Sequence, residues 1–149
     1  MNTANEPSTP PFDCNDDTLW RFVSPLTKEI ASHIGRESTV AFCMAFGGMS
    51  IAFPIYENAN PHGAEKFKRF ADVIGVDATR KLCALYGGCG VMSISNLHAA
   101  RRAALGRAAT QFVGQRVAEG LSQRAATMEA VRKFGMSSRA IENAMAKII

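Results

Sequence analysis

The chain has 149 residues, 47% of them hydrophobic and 20% charged; this is the balance of a folded protein, with room for one ordinary domain or two very small ones. No stretch approaches the about 18 uninterrupted apolar residues of a membrane-spanning helix, and Met1 to Asp17 have neither the basic patch nor the apolar run of a signal peptide, so a soluble, cytoplasmic protein is expected. The net charge of +4 is unevenly held: Ala99 to Ile149 carry nine basic and three acidic residues, a net of +6, whereas the first 98 residues carry eight and ten, a net of −2, and such a concentration suits a polyanionic partner.

Residues 1–18 are rich in Pro, Asn, Ser, Thr and Asp and read as a mobile tail. Residues 19–97 form a module built on an internal repeat at an offset of 40, with copies at about 26–54 and 66–94. Eight positions are identical between the copies: Lys28/Lys68, Ala31/Ala71, Ile34/Ile74, Gly35/Gly75, Thr39/Thr79, Cys43/Cys83, Gly47/Gly87 and Gly48/Gly88. In each copy a first helix is expected to stop at Gly35 or Gly75 in a left-handed conformation. Glu37 or Asp77 then serves as cap or first-turn carboxylate of a second helix, which ends at the double glycine. A short apolar run follows, Met49 to Phe53 or Cys89 to Ile94, of strand length. A lone strand cannot satisfy its own backbone groups, so the two runs are expected to pair within the chain as a two-stranded ribbon. Pro54, lacking an N–H, ends the first strand, and Glu57 to Gly63 form the loop into the second copy.

Residues 98–149 read as helical. Ala, Arg, Leu and Val dominate from about Asn96 to Glu119, and Gly120 closes that helix. Ser122 caps a second helix, Gln123 to Phe134; Gly135-Met136 makes a tight turn; Ser137 or Ser138 caps a third helix to Ile149. The spacing of Ala130, Val131, Gly135, Met136, Ser137 and Ile141 is that of a helix-turn-helix, with Met136, Ile141 and Ala144 pinning the last helix. Its exposed face then presents Ser138, Arg139, Glu142 and Asn143 for base reading; Arg and Asn have the donor and acceptor geometry for guanine and adenine edges. Arg101, Arg102, Arg107, Arg132, Lys133, Ser137 and Lys147 are candidates for phosphate contacts. The competing interpretation is an ordinary helical hairpin with solvated charges.

Catalytic patterns are missing. His33, His62 and His98 lie in unrelated contexts, and no Ser or Cys stands in a nucleophile motif beside a base. The double glycines lack the Lys-Ser/Thr of a phosphate loop. Cys14, Cys43, Cys83 and Cys89 form no CxxC pair and read as reduced, packed thiols. No enzyme activity, metal, cofactor or small-molecule substrate is expected.

Several segments resemble the phage Mor activators and their C-type relatives. Ile74-Gly75-Val76-Asp77 with Gly87-Gly88 is similar to the start of the family's dimerisation module, and Phe46-Gly47-Gly48-Met49-Ser50-Ile51-Ala52-Phe53-Pro54 to its end. Arg132 to Ser137 is similar to its helix-turn-helix. The family's module occurs once and pairs its strand with that of a second subunit; here two copies stand in tandem, and Ile94 takes the place of the strand-ending proline in the second. The resemblance implies transcription control from a phage or integrated element, double-stranded DNA as partner with RNA polymerase as a further one, and Met49, Ile51, Phe53 and Val91 as a dimerisation strand. A homodimer is expected. The fold class is therefore mainly α with a small two-stranded β ribbon, a duplicated helix-helix-strand module followed by a C-terminal helix-turn-helix. Within the phage reading, a protein-interaction or DNA-packaging factor without sequence-specific control is the alternative.

Overall fold

A computed structural model describes residues 12–57 and 60–147. It is mainly helical with one two-stranded antiparallel sheet, in the order α1 (Asp17–Trp20), α2 (Pro25–Ile34), α3 (Arg36–Phe46), β1 (Ser50–Ala52), α4 (Pro61–Ile74), α5 (Val76–Tyr86), β2 (Val91–Ser93), α6 (His98–Ala118), α7 (Gln123–Phe134) and α8 (Ser138–Ala146). Two compact units divide between His98 and Ala99.

In the first unit each repeat opens with a polar cap followed by proline at the first helical position. Ser24 accepts from the Thr27 N–H ahead of Pro25, and Asn60 accepts from the Gly63 N–H ahead of Pro61. The helices α2 and α4 end at Gly35 and Gly75, at φ 90° and 89° with ψ 156° and 160°. This differs from the left-handed helical cap expected from sequence: positive φ with extended ψ is a region nearly reserved for glycine. It lets one residue close one helix and open the next, so Gly35 and Gly75 are the N-caps of α3 and α5, and Glu37 and Asp77 serve only as first-turn carboxylates. One turn into each second helix the fully buried Thr39 and Thr79 donate their hydroxyls, at 2.7 Å, to the Gly35 and Gly75 carbonyls.

The strands pair as Ser50 with Ser93, Ile51 with Met92 and Ala52 with Val91. They are shorter than the apolar runs. The Met49 and Cys89 N–H groups donate back to Phe46 and Tyr86 in the turns that close α3 and α5, and Gly90 at φ 91° delays the second strand. The ribbon is lengthened at one end by bonds from the Gly48 N–H to the Ile94 carbonyl and from the Ile94 N–H to the Met49 carbonyl, at 2.8 and 2.9 Å. Pro54 holds Ile94's place at the 40-residue offset, but the register, centred on Ile51–Met92, makes the buried Phe53 the structural counterpart of the buried Ile94. Helix α2 packs on α5, and α3 on α4.

The core of this unit is aromatic on one side: Phe42, Phe53 and Phe70 meet at centroid separations of 5.4–5.9 Å and Phe46 joins Phe42 at 5.0 Å. The repeat-equivalents of Phe42 and Phe70 are the buried Leu82 and Ile30. Cys14, Cys43 and Cys83 are buried free thiols and Cys89 is exposed; burial pushes the Cys43 thiol up to about 11. From residue 12 on, the mobile tail expected through residue 18 is not what the structure has. Phe12 and Cys14 are buried with Leu19, Trp20 and Val23, and the Arg36 guanidinium lies 4.8 Å over the Trp20 ring while donating to the Cys14 carbonyl and the Asp17 carboxylate. The earlier part of that tail, residues 1–11, lies outside the described residues.

The second unit is α6, α7 and α8. Ser122 caps α7 by accepting from the Ala125 N–H, Gly135 takes the left-handed turn at φ 67°, ψ 21°, and Ser137 caps α8 by accepting from the Ala140 N–H. Ala109, Val113, Ala126, Ala130 and Ile141 make its core, flanked by Phe112, Leu121, Val131, Phe134, Met136 and Met145. Three of the five core side chains are alanine, which lets the helix axes approach closely. The last two residues of the expected third helix, 148–149, lie outside the described residues. Among the described residues no helix is long and apolar enough to cross a membrane.

Candidate nucleic-acid interface

The short helix α8 is amphipathic by spacing. Ile141 is fully buried, and Ala144 and Met145 are half-buried, so the inward stripe follows the three- and four-residue steps of a helix. The opposite face carries Ser138, Arg139, Glu142, Asn143 and Lys147, all exposed. Arg139 and Asn143 are one turn apart, so their tips share a face. Ser138 and Glu142 border an open groove whose other wall is the N-terminal half of α7, with Gln123, Arg124, Thr127 and Met128. Arg124 is a cation the sequence reading assigned no role; its position in the first turn of α7 becomes informative only once the helices are folded back on each other.

The phosphate candidates fall into groups rather than one patch. Arg132 and Lys133 are exposed in the last turn of α7, where positive charge is favoured by the helix dipole. Lys133 is also held in place, its Nζ 4.5 Å over the Phe112 ring and 5.6 Å over Phe134. These two precede the turn into α8 and so lie at its N-terminal end. At the other end, a Cβ built on Gly106 would stand 3.2 Å from the Ala144 Cβ, so the second half of α8 crosses the first half of α6, the half that bears Arg101, Arg102 and Arg107. Arg101 and Arg102 are exposed and Arg107 is half-buried. At about 100° per residue Arg107 projects some 120–140° away from the other two, so the structure does not bring it onto their side of α6. Ser137 spends a lone pair on its cap, leaving the hydroxyl proton as what it can offer an anion.

Two of the three acidic residues of this unit gather on one arginine. Arg116, near the end of α6, pairs with Glu119 and reaches across to Glu129 on α7, its Nε 2.8 Å from Oε2 and its second terminal nitrogen 3.3 Å from Oε1. The hydrogen bonds from Arg116 hold the Glu129 carboxyl below the usual glutamate range, and those two glutamates raise the Arg116 guanidinium further. Two of the three acidic groups are thus committed to one arginine, and Glu142 alone of the three stands on the outward face of α8.

The residues assigned to dimerisation are split by the structure. Met49 and Val91 are exposed, at 53% and 69%, whereas Ile51 and Phe53 are 6% and 3% exposed within the first unit's core. Ile51 faces Met92, and Val91 stands opposite Ala52, inside the same chain. Among the described residues no cluster of three or more His, Cys, Asp or Glu could hold a metal ion. No protein-family model, curated protein or solved structure matches the chain.

Proposed function

We propose that the chain is a sequence-specific DNA-binding transcription regulator of phage or prophage type, reading the major groove with α8. The observation that carries this reading is the outward face of α8, where Arg139 and Asn143 stand one turn apart on a helix fixed by a serine cap, a left-handed glycine turn and a buried isoleucine. Arginine and asparagine are the side chains that pair bidentately with guanine and adenine. Cations at both ends of that helix supply sequence-independent attraction to the backbone. The resemblance of Arg132 to Ser137 to the Mor-type turn supports the same assignment, with RNA polymerase as a further partner.

The test is fluorescence anisotropy with duplex DNA over a salt series. Neutralising six or more phosphates lowers affinity by about 10³-fold or more between 50 and 200 mM salt. Arg139→Ala and Asn143→Ala each relax base preference at one position, a change worth about 1–3 kcal/mol. Lys133→Ala weakens binding to all sequences alike. Variants at Arg139 and Asn143 that discriminate as the parent does would remove α8 as the reader.

A second reading, an interaction or packaging factor, is favoured by one feature of the first unit: Ile55, Tyr56 and Val91 are 60–69% exposed, more apolar surface than a small unit needs to leave open. It predicts binding without sequence preference.

A further inference from the structure

The two repeats of the first unit do more than resemble one another; they exchange partners as the halves of a symmetric dimer do. In the strands the copies stand 41 apart, Gly90 being one residue more, so Ile51 and Met92 are equivalents facing each other, and exchanging the copies turns the Ser50–Ser93 pair into the Val91–Ala52 pair, which is also present in the ribbon. The same exchange converts the packing of α2 on α5 into that of α4 on α3, both of which occur. It also relates the two close approaches at the helix ends. A Cβ on Gly47 would lie 2.7 Å from the Asn96 Cα and 2.9 Å from the Ser95 carbonyl oxygen; one on Gly87 would lie 2.8 Å from the Ile55 Cα and 2.7 Å from the Pro54 carbonyl oxygen. In each case the second helix of one repeat ends against the chain leaving the strand of the other.

A repeat standing alone would leave its strand and the inner faces of its helices without a neighbour. Here each repeat finds that neighbour in the other, with Ile51 and Phe53 on one side and Leu82 and Ile94 on the other all buried. Gly90 adds one residue to the second copy ahead of its strand, and past the strands the two chain paths part. After β1 the chain runs through Pro54 into the second repeat, whereas after β2 the side chains of Ser95 and Asn96 accept from the Leu97 and His98 N–H groups to start α6. One paired module is therefore followed by a single basic three-helix unit.

We infer that the duplicated module is a dimer folded into one chain, so that the protein is a monomer presenting one α8, and engages a single asymmetric half-site as a one-to-one complex. The second part rests on the function proposed above; the first does not. A symmetric dimer reads two half-sites about one helical turn apart. This chain has one reading helix per module and protects less than a turn.

Sedimentation equilibrium of the full chain, from micromolar to the highest soluble concentration, gives the mass of one chain, 16.1 kDa. A concentration-dependent rise to twice that value overturns the inference. Ser50→Cys with Ser93→Cys, in a Cys89→Ser background that removes the exposed thiol, places two thiols directly opposite across the ribbon. Oxidation is expected to give a single-chain disulfide. Disulfide-linked dimers, or a natively helical variant that fails to cross-link, contradict the pairing. Titrating an asymmetric duplex then gives one chain per site, and two chains per site overturn the half-site assignment. A monomer that binds no duplex of any sequence leaves the internal dimer standing and removes the DNA-binding reading instead.

Discussion

The two units of this chain reach a packed core by opposite means. The first fills its interior with large side chains, Phe42, Phe53, Phe67 and Phe70, and positions its helices by glycines whose backbones touch other backbones. The second relies on alanine at Ala109, Ala126 and Ala130 and is held at its turns by serine caps and one left-handed glycine. The charge differs as well, a net of −2 before Ala99 and +6 from there on. The contrast separates two jobs. In the first unit the repeated Gly47 and Gly87 serve pairing between the repeats and Gly35, Gly75, Thr39 and Thr79 join the helices within each, while in the second the outward residues of α8 have no packing duty and are left available for a partner.

Substitutions sharpen this contrast, and the steepest cost is expected at the repeat junction. Gly87→Ala puts a methyl against the Pro54 carbonyl and the Ile55 backbone, which a side-chain adjustment cannot relieve, and it should cost about 3 kcal/mol or more. Gly114→Ala on α6 meets nothing within 4 Å and should stabilise by about 0.5–1 kcal/mol. Urea denaturation followed by the emission of Trp20, the chain's one tryptophan and buried in the first unit, should show the first effect and little of the second. Ile141→Ala empties the centre of the second unit and should cost about 2–5 kcal/mol in the helical circular dichroism transition. An equal shift in the Trp20 transition would break the comparison by showing that both units unfold as one.

The smallest effect is electrostatic and pH-dependent. Because hydrogen bonds from Arg116 hold the Glu129 carboxyl below its unfolded value, the ion pair stabilises fully above the ordinary glutamate pKa, about 4.3, and the benefit disappears as pH falls through the depressed folded value. Glu129→Gln should therefore melt below the parent at neutral pH and converge on it in acid. A gap that persists in acid would mean the residue acts through packing.

Much of this architecture could be read from residue types because its causes are local. Gly35 and Gly75 recur at a fixed offset since each must adopt a backbone open almost only to glycine. Ser122, Gly135, Ser137 and Ile141 mark caps, a turn and a core position by chemistry that acts within a few residues. What escaped depends on distance along the chain. The strands shortened because the Met49 and Cys89 N–H groups turned back to close their helices. Phe12 and Cys14, isolated among polar residues, gave no periodicity to suggest burial. Exchanging Phe46 for Tyr86 between the repeats looked conservative, yet it buries a hydroxyl, and burial and the nearby Glu29 carboxylate push its pKa up. At the site, the outward face of α8 was legible from helical spacing, but the Arg116–Glu129 link spans 13 residues and two helices. That the half of α6 bearing Arg101 and Arg102 crosses the second half of α8 likewise needed the helix to be placed against Ala144.

The most direct test of α8 as a reading helix is selection of bound duplexes from a random-sequence pool by the purified chain, repeated with Asn143→Ala. A short enriched motif that loses its preference for adenine at one position in the variant is the predicted result. Recovery of the same motif by both proteins, or of no motif by the parent, would contradict it.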